Sequence, residues 1–246
     1  MNQIFANLRT AVMITAIAIS AISLAQTTND RPPPEKETDA ATVGAGKDGF
    51  FLRSADGRYQ LKLRALIQFD GRFFIEDKTR LNVSQFLARR IRPIFEGTVA
   101  KYFDFLAVPD FGSGAVSMQD AWIDFHPWPE LRVRGGKFKA PFGLERLQSA
   151  AGTLFIETAL STALTPNYDV GAQVWGDIKD GLVSYAVSVG NGVADGGSVD
   201  GDTSNEKDFT GRVFARPFQT TGIAPLKNFG IGVAGNIGKR DALASF

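Results

Sequence analysis

The sequence predicts an all-β protein built as an antiparallel transmembrane β-barrel. The first observation is a long segment, residues 58–76, in which apolar and polar side chains alternate. The second is a series of about ten strand-like segments separated by turn signals, without a long helical pattern. The third is the composition, with 26 glycines, 20 phenylalanines and no cysteine. Tight corners and aromatic girdles are typical of a barrel wall, which needs no disulfides.

The N-terminal segment has the features of an export signal. An apolar run ends in the small-x-small site Ser23-Leu24-Ala25 and is too short for a permanent membrane helix. We therefore expect residues 1–25 to be a cleaved signal peptide for export. An exported β-barrel is expected in the outer membrane of a Gram-negative cell. Residues 26–48, with three consecutive prolines and mixed charge, are expected to form a disordered leader. The barrel domain then spans residues 49–246.

The segment of residues 58–76 is the clearest strand. Its odd positions are apolar or small, whereas its even positions are mostly charged or amide side chains. Because successive strand side chains point to opposite faces, one face is apolar and the other is hydrated. A tilted membrane-spanning strand needs roughly 9–11 residues, while soluble strands average about 5–6. The length favours a barrel wall between lipid and water, and one side of a long soluble sheet is the alternative.

Further alternating segments extend the predicted wall. In residues 86–99 the pattern places Leu87 on the apolar face, opposite Arg90 and Arg92. Pro93 in this segment requires a bulge or an edge position, because proline donates no ladder hydrogen bond. The other candidate strands are residues 50–54, 102–111, 117–125, 131–138, 172–177, 183–190, 209–218 and 229–237. The last residues do not alternate as a closing strand would, so we expect the chain to cover only part of a larger barrel.

Residues 141–166 interrupt the alternation. The segment carries leucine, isoleucine and phenylalanine among alanine, serine and threonine, and it is too apolar for disorder. Long connections without a strand pattern are usually functional or disordered. We therefore expect an inward constriction loop that narrows the barrel. An external loop packed on the rim is the alternative.

Basic residues cluster around this segment. Lys137, Lys139 and Arg146 surround its start, and Arg90 and Arg92 are predicted to face them across the lumen. A ring of cations at a constriction concentrates anions. The guanidinium fork of arginine matches two phosphate oxygens, whereas lysine acts as a mobile point charge. The residues expected to line the pore outside this ring are Arg58, Lys62, Arg64, Arg72, Gln119 and Asp120.

The sequence carries no catalytic or metal-binding pattern. Its one histidine, His126, lies at a strand end, where an interfacial role is more common than general-base catalysis. No serine lies in a nucleophile-elbow setting. The 27 basic and 26 acidic residues nearly balance, so net charge does not indicate nucleic-acid binding. We expect no enzymatic activity, no metal, no cofactor and no nucleic-acid partner.

The motifs described above resemble those of the phosphate-selective porin family, of the porin O and porin P type. The resemblance covers about residues 59–177 of this sequence. It rests on the long first strand, the pattern Phe86-x-x-Arg89-Arg90, the triplet Gln119-Asp120-Ala121 and the block from Gly136 to Arg146, which reads GKFKAPFGLER. The resemblance implies a sixteen-stranded, trimeric anion channel in outer-membrane lipid, with an inward constriction loop.

The same resemblance maps a phosphate site onto Arg89, Arg90 and Arg146. In a regular strand only one of Arg89 and Arg90 can point inward, and we expect it to be Arg90. Two positions depart from the family's pattern. Gln119 stands where phosphate-binding members have an acid, and Lys139 replaces an aromatic residue of the constriction.

These observations predict a passive, anion-preferring outer-membrane pore. The side chains expected to hold phosphate or another small anion are Arg89, Arg90, Arg92, Lys137, Lys139 and Arg146. A general porin without phosphate specificity is one alternative, and an adhesive or enzymatic outer-membrane barrel is another. A soluble β-protein would need a second sheet to cover the apolar stripes.

Overall fold

The computed structural model describes residues 40–238 except positions 48, 76–82, 154, 156, 194–196, 199 and 202–204. The described residues form one antiparallel sheet of eleven strands, each paired with its neighbours in sequence. The strands are β1 (Thr42–Gly46), β2 (Gly49–Arg53), β3 (Gln60–Arg72), β4 (Gln85–Val99), β5 (Phe103–Asp110), β6 (Ser117–Trp128), β7 (Leu131–Lys139), β8 (Tyr168–Ile178), β9 (Val183–Gly190), β10 (Asp208–Ala215) and β11 (Ile231–Ile237). The predicted all-β class is confirmed, as an open wall whose edges are β1 and β11 in this part of the chain.

Helical structure is confined to single turns among the described residues. The α-helix α1 spans Leu144–Leu147, and 3₁₀ turns lie at Gly112–Gly114 and Leu160–Leu164. No helix in the described part of the chain is long and apolar enough to cross a bilayer. The predicted signal peptide and residues 26–39 of the predicted leader lie outside the described residues.

The two faces of the sheet differ as the alternation predicted. On β3, Ile67 and Phe69 are exposed on the outer face, while Leu66 and Asp70 are half-buried on the inner face. Residues paired directly across neighbouring strands point to the same face. Ile67 is paired with Ile91 of β4, and Leu66 is paired with Arg92, so the apolar and charged stripes continue from strand to strand.

Short and long connections are divided between the two rims of the wall. The β4–β5 turn is tight, because only three residues separate the paired Val99 and Phe103, with φ of 51° at Ala100 and 71° at Lys101. The β6–β7 and β8–β9 turns lie at the same rim, together with the longer β10–β11 connection at residues 216–230. At the opposite rim the β1–β2 turn is tight, and the other connections lie at residues 73–84, 111–116, 140–167 and 191–207. Most tight turns thus share one rim and most long connections the other, as in bacterial membrane barrels.

Pro93 lies inside β4 without a bulge at the proline itself. Ile91 donates its backbone N–H to Asp110 Oδ1 at 3.1 Å and accepts a hydrogen bond from Phe111 N at 3.0 Å. Because residues two apart direct their backbone groups to the same neighbouring strand, Pro93 also faces β5. Pairing of β4 with β5 begins only at Phe95, so no ladder bond requires the N–H that proline lacks.

Strand structure begins earlier than predicted. Residues 42–46, placed in the disordered leader by their position after the proline run, form β1 and pair with β2 from Thr42–Arg53 to Gly46–Gly49. This part of the predicted leader is therefore wall. Its sequence, TVGAG, does not alternate, and only the backbone pairing with β2 defines it as a strand.

Candidate functional site

The connection between β7 and β8 lies against the inner face of the wall. Leu147, Ser149 and Ala150 from this segment line one cavity of about 510 Å³ together with inward residues of β3 to β10. Glu145 joins the two halves of the β7–β8 connection, because its carboxylate oxygens accept hydrogen bonds from Ala159 N at 3.0 and 3.1 Å. The segment thus presents its own side chains to those of the wall.

Four basic side chains meet at a second, smaller cavity of about 110 Å³ between this segment and the wall. Arg90 and Arg92 come from β4, Lys139 from the end of β7 and Arg146 from α1. Alternation places Arg90 and Arg92 on one face because they are two residues apart. The β7–β8 segment brings Arg146 to the same place. The other polar side chains around the cavity are Gln119, Glu145, Gln148, Thr153, Thr158, Asn167 and Tyr168.

Only one of these four cations is paired with a carboxylate among the described residues. Arg92 donates Nε to Asp110 Oδ2 at 2.7 Å. Arg90 donates to the side-chain oxygen of Gln68, and Lys139 Nζ donates to the backbone oxygen of Gln148 at 2.8 Å. These acceptors are neutral, so three of the four cations have no ion-pair partner among the described residues, and the cavity keeps a net positive charge.

Among the described residues, the hydrogen-bond partners of Arg146 belong to the segment that carries it. Its guanidinium donates to the backbone oxygen of Thr162 and, at 3.5 Å, to Thr165 Oγ1. Both acceptors are neutral and lie at the far end of the same connection. The position of the Arg146 guanidinium therefore depends on the contacts between the two ends of the β7–β8 connection.

A β-bulge in β4 turns both neighbouring arginines inward. Gln68 of β3 is paired with Arg90, but the next residue, Phe69, is paired with Ala88, which leaves Arg89 unpaired between them. Arg89 donates to Asp70 Oδ2 at 3.0 Å, on the inner face. The expectation that only one of the two arginines points inward was wrong, because it assumed a regular strand.

The bulge has two further structural consequences. Leu87 is paired with the inward Asp70, so it lies on the inner face and not on the apolar outer face as predicted. The connection after β5 supports the bulge, since Ser113 Oγ donates to the Arg89 carbonyl at 3.3 Å. A Cβ on Gly112 would lie 2.4 Å from that same carbonyl oxygen, so only glycine fits there without displacing the backbone.

Lys137 lies apart from the cluster, although it was predicted to belong to it. Its side chain is buried and forms an ion pair with Asp200 of the β9–β10 connection. It lines neither of the two cavities. Two residues later, Lys139 lines both of them, so the two lysines have different surroundings.

The residues predicted to line the pore outside the ring occupy four kinds of position. Lys62 and Arg64 both pair with Glu96 of β4, the lysine at 3.7 Å. Arg72 Nη2 is 3.7 Å from Asp70 and 3.3 Å from Glu157. Gln119 lines the smaller cavity and Asp120 the larger one, beside Lys139. Arg58 lies in the exposed turn before β3, where its backbone N–H donates to Asp56 Oδ1.

The sequence matches a known protein family. The sequence profile of the phosphate-selective porin O and P family matches residues 60–244, which is most of the chain. The chain belongs to this family. The match extends well beyond residue 177, the limit expected from motifs alone. Membership places the chain, at the level of the family, among phosphate-selective outer-membrane porins. A search of curated proteins found no match.

This porin also contains an inward network that the site prediction omitted. Asp124 has no exposed side-chain surface and accepts hydrogen bonds from Arg134 at 2.8 Å and from Trp175 Nε1 at 3.1 Å. The guanidinium of Arg134 lies 4.0 Å from the centre of the Trp122 ring, a cation–π contact. Arg132 joins the network 3.4 Å from Asp124.

The sequence signal for this network was incomplete. In the predicted strand at residues 131–138, alternation places Arg132 and Arg134 on one face, but it does not show which acid stands opposite. The register pairs Asp124 with Arg134 and Arg134 with Gln173, which brings three strands together at one point. Arg134 is paired with the buried Asp124, and Arg132 also donates to the half-buried Asp104 at 2.8 Å. Because both arginines are paired with acids, their charges contribute less to anion binding than those at the smaller cavity. No group of metal-ligating side chains occurs among the described residues.

Proposed function

We propose that this chain is a passive outer-membrane pore that prefers anions and binds phosphate at the cluster of Arg90, Arg92, Lys139 and Arg146. The observation that carries the proposal is the imbalance of charge at the smaller cavity. Four cations line it, and among the described residues only Arg92 has an ion-pair partner. The lining acid, Glu145, directs its carboxylate to Ala159 N.

The chemistry of the cluster suits a phosphate that passes through and does not remain. Guanidinium groups offer paired donors to two oxygens of the anion, and the ammonium of Lys139 follows it as a point charge. Neutral donors such as Gln119 and Thr158 replace part of the lost hydration shell. Several moderate contacts select an anion and still release it, whereas one deep site would block conduction.

The outer face of the wall supports the membrane part of the proposal. Exposed apolar side chains recur on successive strands, including Ile67 of β3, Ile123 of β6 and Val187 of β9. In a bilayer these side chains contact lipid, as the outward residues of membrane barrels do. The homotrimer implied by the family resemblance stays a prediction, which the migration of the unheated protein in a denaturing gel tests.

The proposal is tested by the zero-current potential of the full-length protein in a planar bilayer under a potassium chloride gradient. We expect an anion-selective potential, and we expect millimolar phosphate to reduce the chloride current. Arg90→Gln and Arg146→Gln should each weaken the block by phosphate about tenfold, since a hydrogen bond to a charged group contributes ~1.5–3 kcal/mol. Arg58→Gln removes the same charge at an exposed turn and should change the block less than about twofold.

Two results would contradict the proposal in different ways. A cation-selective or non-selective pore would leave the barrel intact and remove the anion mechanism. Equal effects of Arg58→Gln and Arg146→Gln would mean that phosphate responds only to the total charge of the pore and not to this cluster.

A further inference from the structure

The β7–β8 connection places one carboxylate between two arginines of the wall. Arg89 Nη2 of β4 donates to Glu157 Oε2 at 2.6 Å, and Arg72 Nη2 of β3 donates to Glu157 Oε1 at 3.3 Å. Each oxygen of the carboxylate therefore has its own guanidinium. This is the arrangement in which two arginines hold two oxygens of a phosphate.

The same two arginines share a second acid that belongs to the wall. Asp70 of β3 lies 3.0 Å from Arg89 and 3.7 Å from Arg72. The side chain of Asp70 is 9% exposed, whereas that of Glu157 is 66% exposed. One carboxylate is thus a fixed part of the wall and the other reaches in from solvent. Two cations and one fixed anion leave one positive charge, which Glu157 neutralises.

The neighbours of Glu157 favour its ionised form. The hydrogen bond from Arg89, and then the charges of Arg89, Arg72 and Arg90, hold the pKa of the Glu157 carboxyl below its ordinary value. Ion pairs of exposed side chains are weak, so an anion from solvent can replace this carboxylate. The next residue of β4, Arg90, already lines the smaller cavity.

We propose that Glu157 is a built-in competitor for anions at the Arg72–Arg89 pair. In the resting pore its carboxylate occupies the place of two phosphate oxygens. An arriving phosphate displaces it and frees this part of the connection from the wall. The inference rests on the proposed function and adds a residue that sets the affinity of the pore. A purely structural anchor would make the same contacts but would not compete with the ligand.

The experiment measures the phosphate concentration that halves the chloride current through the full-length protein in planar bilayers. Glu157→Gln should lower this concentration about fivefold, which corresponds to ~1 kcal/mol, the upper end for an exposed ion pair. Glu130→Gln removes the same charge in the exposed β6–β7 turn and should leave the value within about 1.5-fold. Adding Arg72→Gln to Glu157→Gln should cancel the gain, because the vacated pair is then incomplete.

A second measurement follows the connection directly. The chain has no cysteine, so Phe155→Cys introduces a single thiol two residues from Glu157. The side chain at this position is exposed, so a nitroxide spin label can be attached to the thiol, and the mobility of the label reports whether the segment is held by the wall. Phosphate should raise the mobility of the label. When Glu157→Gln is also present, the label should be mobile already and should no longer respond to phosphate. A mobility that ignores phosphate while Glu157 is present would overturn the competition.

The outcomes separate the inference from the function on which it rests. If the wild-type pore selects anions and is blocked by phosphate but Glu157→Gln has the same affinity, the competitor role is wrong and the proposed function stands. A higher chloride conductance with unchanged phosphate affinity would identify Glu157 as an anchor only. A wild-type pore without anion selectivity would overturn both.

Discussion

The assignment of the outer face of β3 can be tested at one residue, Ile67. Ile67 is 60% exposed on the outer face, and Leu66 beside it faces inward into the larger cavity. The strand spans Gln60–Arg72, so both residues lie at its middle. At ~3.3 Å per residue and a tilt of about 40–45°, such a strand covers roughly 30 Å, close to the apolar thickness of a membrane. The side chain of Ile67 is therefore near the bilayer midplane.

We expect Ile67→Arg to lower the free energy of unfolding by ~2–4 kcal/mol, the cost of a cation on the lipid face at the midplane. Leu66→Arg places the same side chain in water. It should lower the free energy of unfolding by less than ~1 kcal/mol. This small cost arises because the new charge lies directly opposite Arg92, and like charges in a cross-strand pair are mildly unfavourable. Equilibrium unfolding by denaturant in lipid vesicles measures both values.

Two outcomes for this pair of variants would refute the assignment of the inner and outer faces. If Ile67→Arg were as stable as the wild type while Leu66→Arg lost several kcal/mol, the inner and outer faces would be exchanged. If neither variant lost stability, the sheet would not face lipid at all. Leu66→Arg should in addition raise the preference for anions, since it adds a cation to the cavity wall.

Three further perturbations test the site. Lys139→Gln should weaken the block by phosphate about tenfold, whereas Lys137→Gln should change it less than twofold, because only the first lysine lines the cavities; equal effects in bilayer recordings would contradict this placement. Gly112→Ala should destabilise the fold by ~1–3 kcal/mol in denaturant unfolding and weaken the block by phosphate, since its Cβ would meet the Arg89 carbonyl. Gly135→Ala should be nearly neutral in the same assay, because there is open space around its Cβ. The lowered pKa of Glu157 means that its ion pairs are fully present above about pH 4.5, its ordinary value, and are lost as the pH falls through the lowered pKa. Acidification through this range should therefore raise anion selectivity more in the wild type than in Glu157→Gln, and an identical response of both would show that Glu157 does not titrate in the pore.

Much of the wall was predictable because alternation is a local property. The predicted strand at residues 183–190 coincides with β9, and residues 86–99 coincide with β4 to within one residue. Prediction was poorer at two places. Residues 42–46 contain two glycines and an alanine, and β8 begins at Tyr168, four residues before the predicted start. At both places the backbone pairing with a neighbouring strand defines the strand.

The site was predictable in part for the same reason. Arg90, Arg92, Lys139 and Arg146 were expected together, and one cavity brings them together. Lys137 was grouped with them because it is near in sequence, but its side chain pairs with Asp200, more than sixty residues away. The roles of Arg89 and Glu157 could not be read from sequence, since both depend on contacts across the bulge and the β7–β8 connection.

The order of polar and apolar residues alone established the all-β class, the two-faced wall and the cationic character of the inner face. These features follow from the period of two along each strand, which needs no knowledge of neighbours. The tertiary structure decided which charges remain free. A bulge is an offset between two strands, and an ion pair needs two groups within about 4 Å, so both are properties of register and loop path. Arg89 therefore faces inward but is neutralised, while Arg90 beside it keeps an unbalanced charge at the cavity.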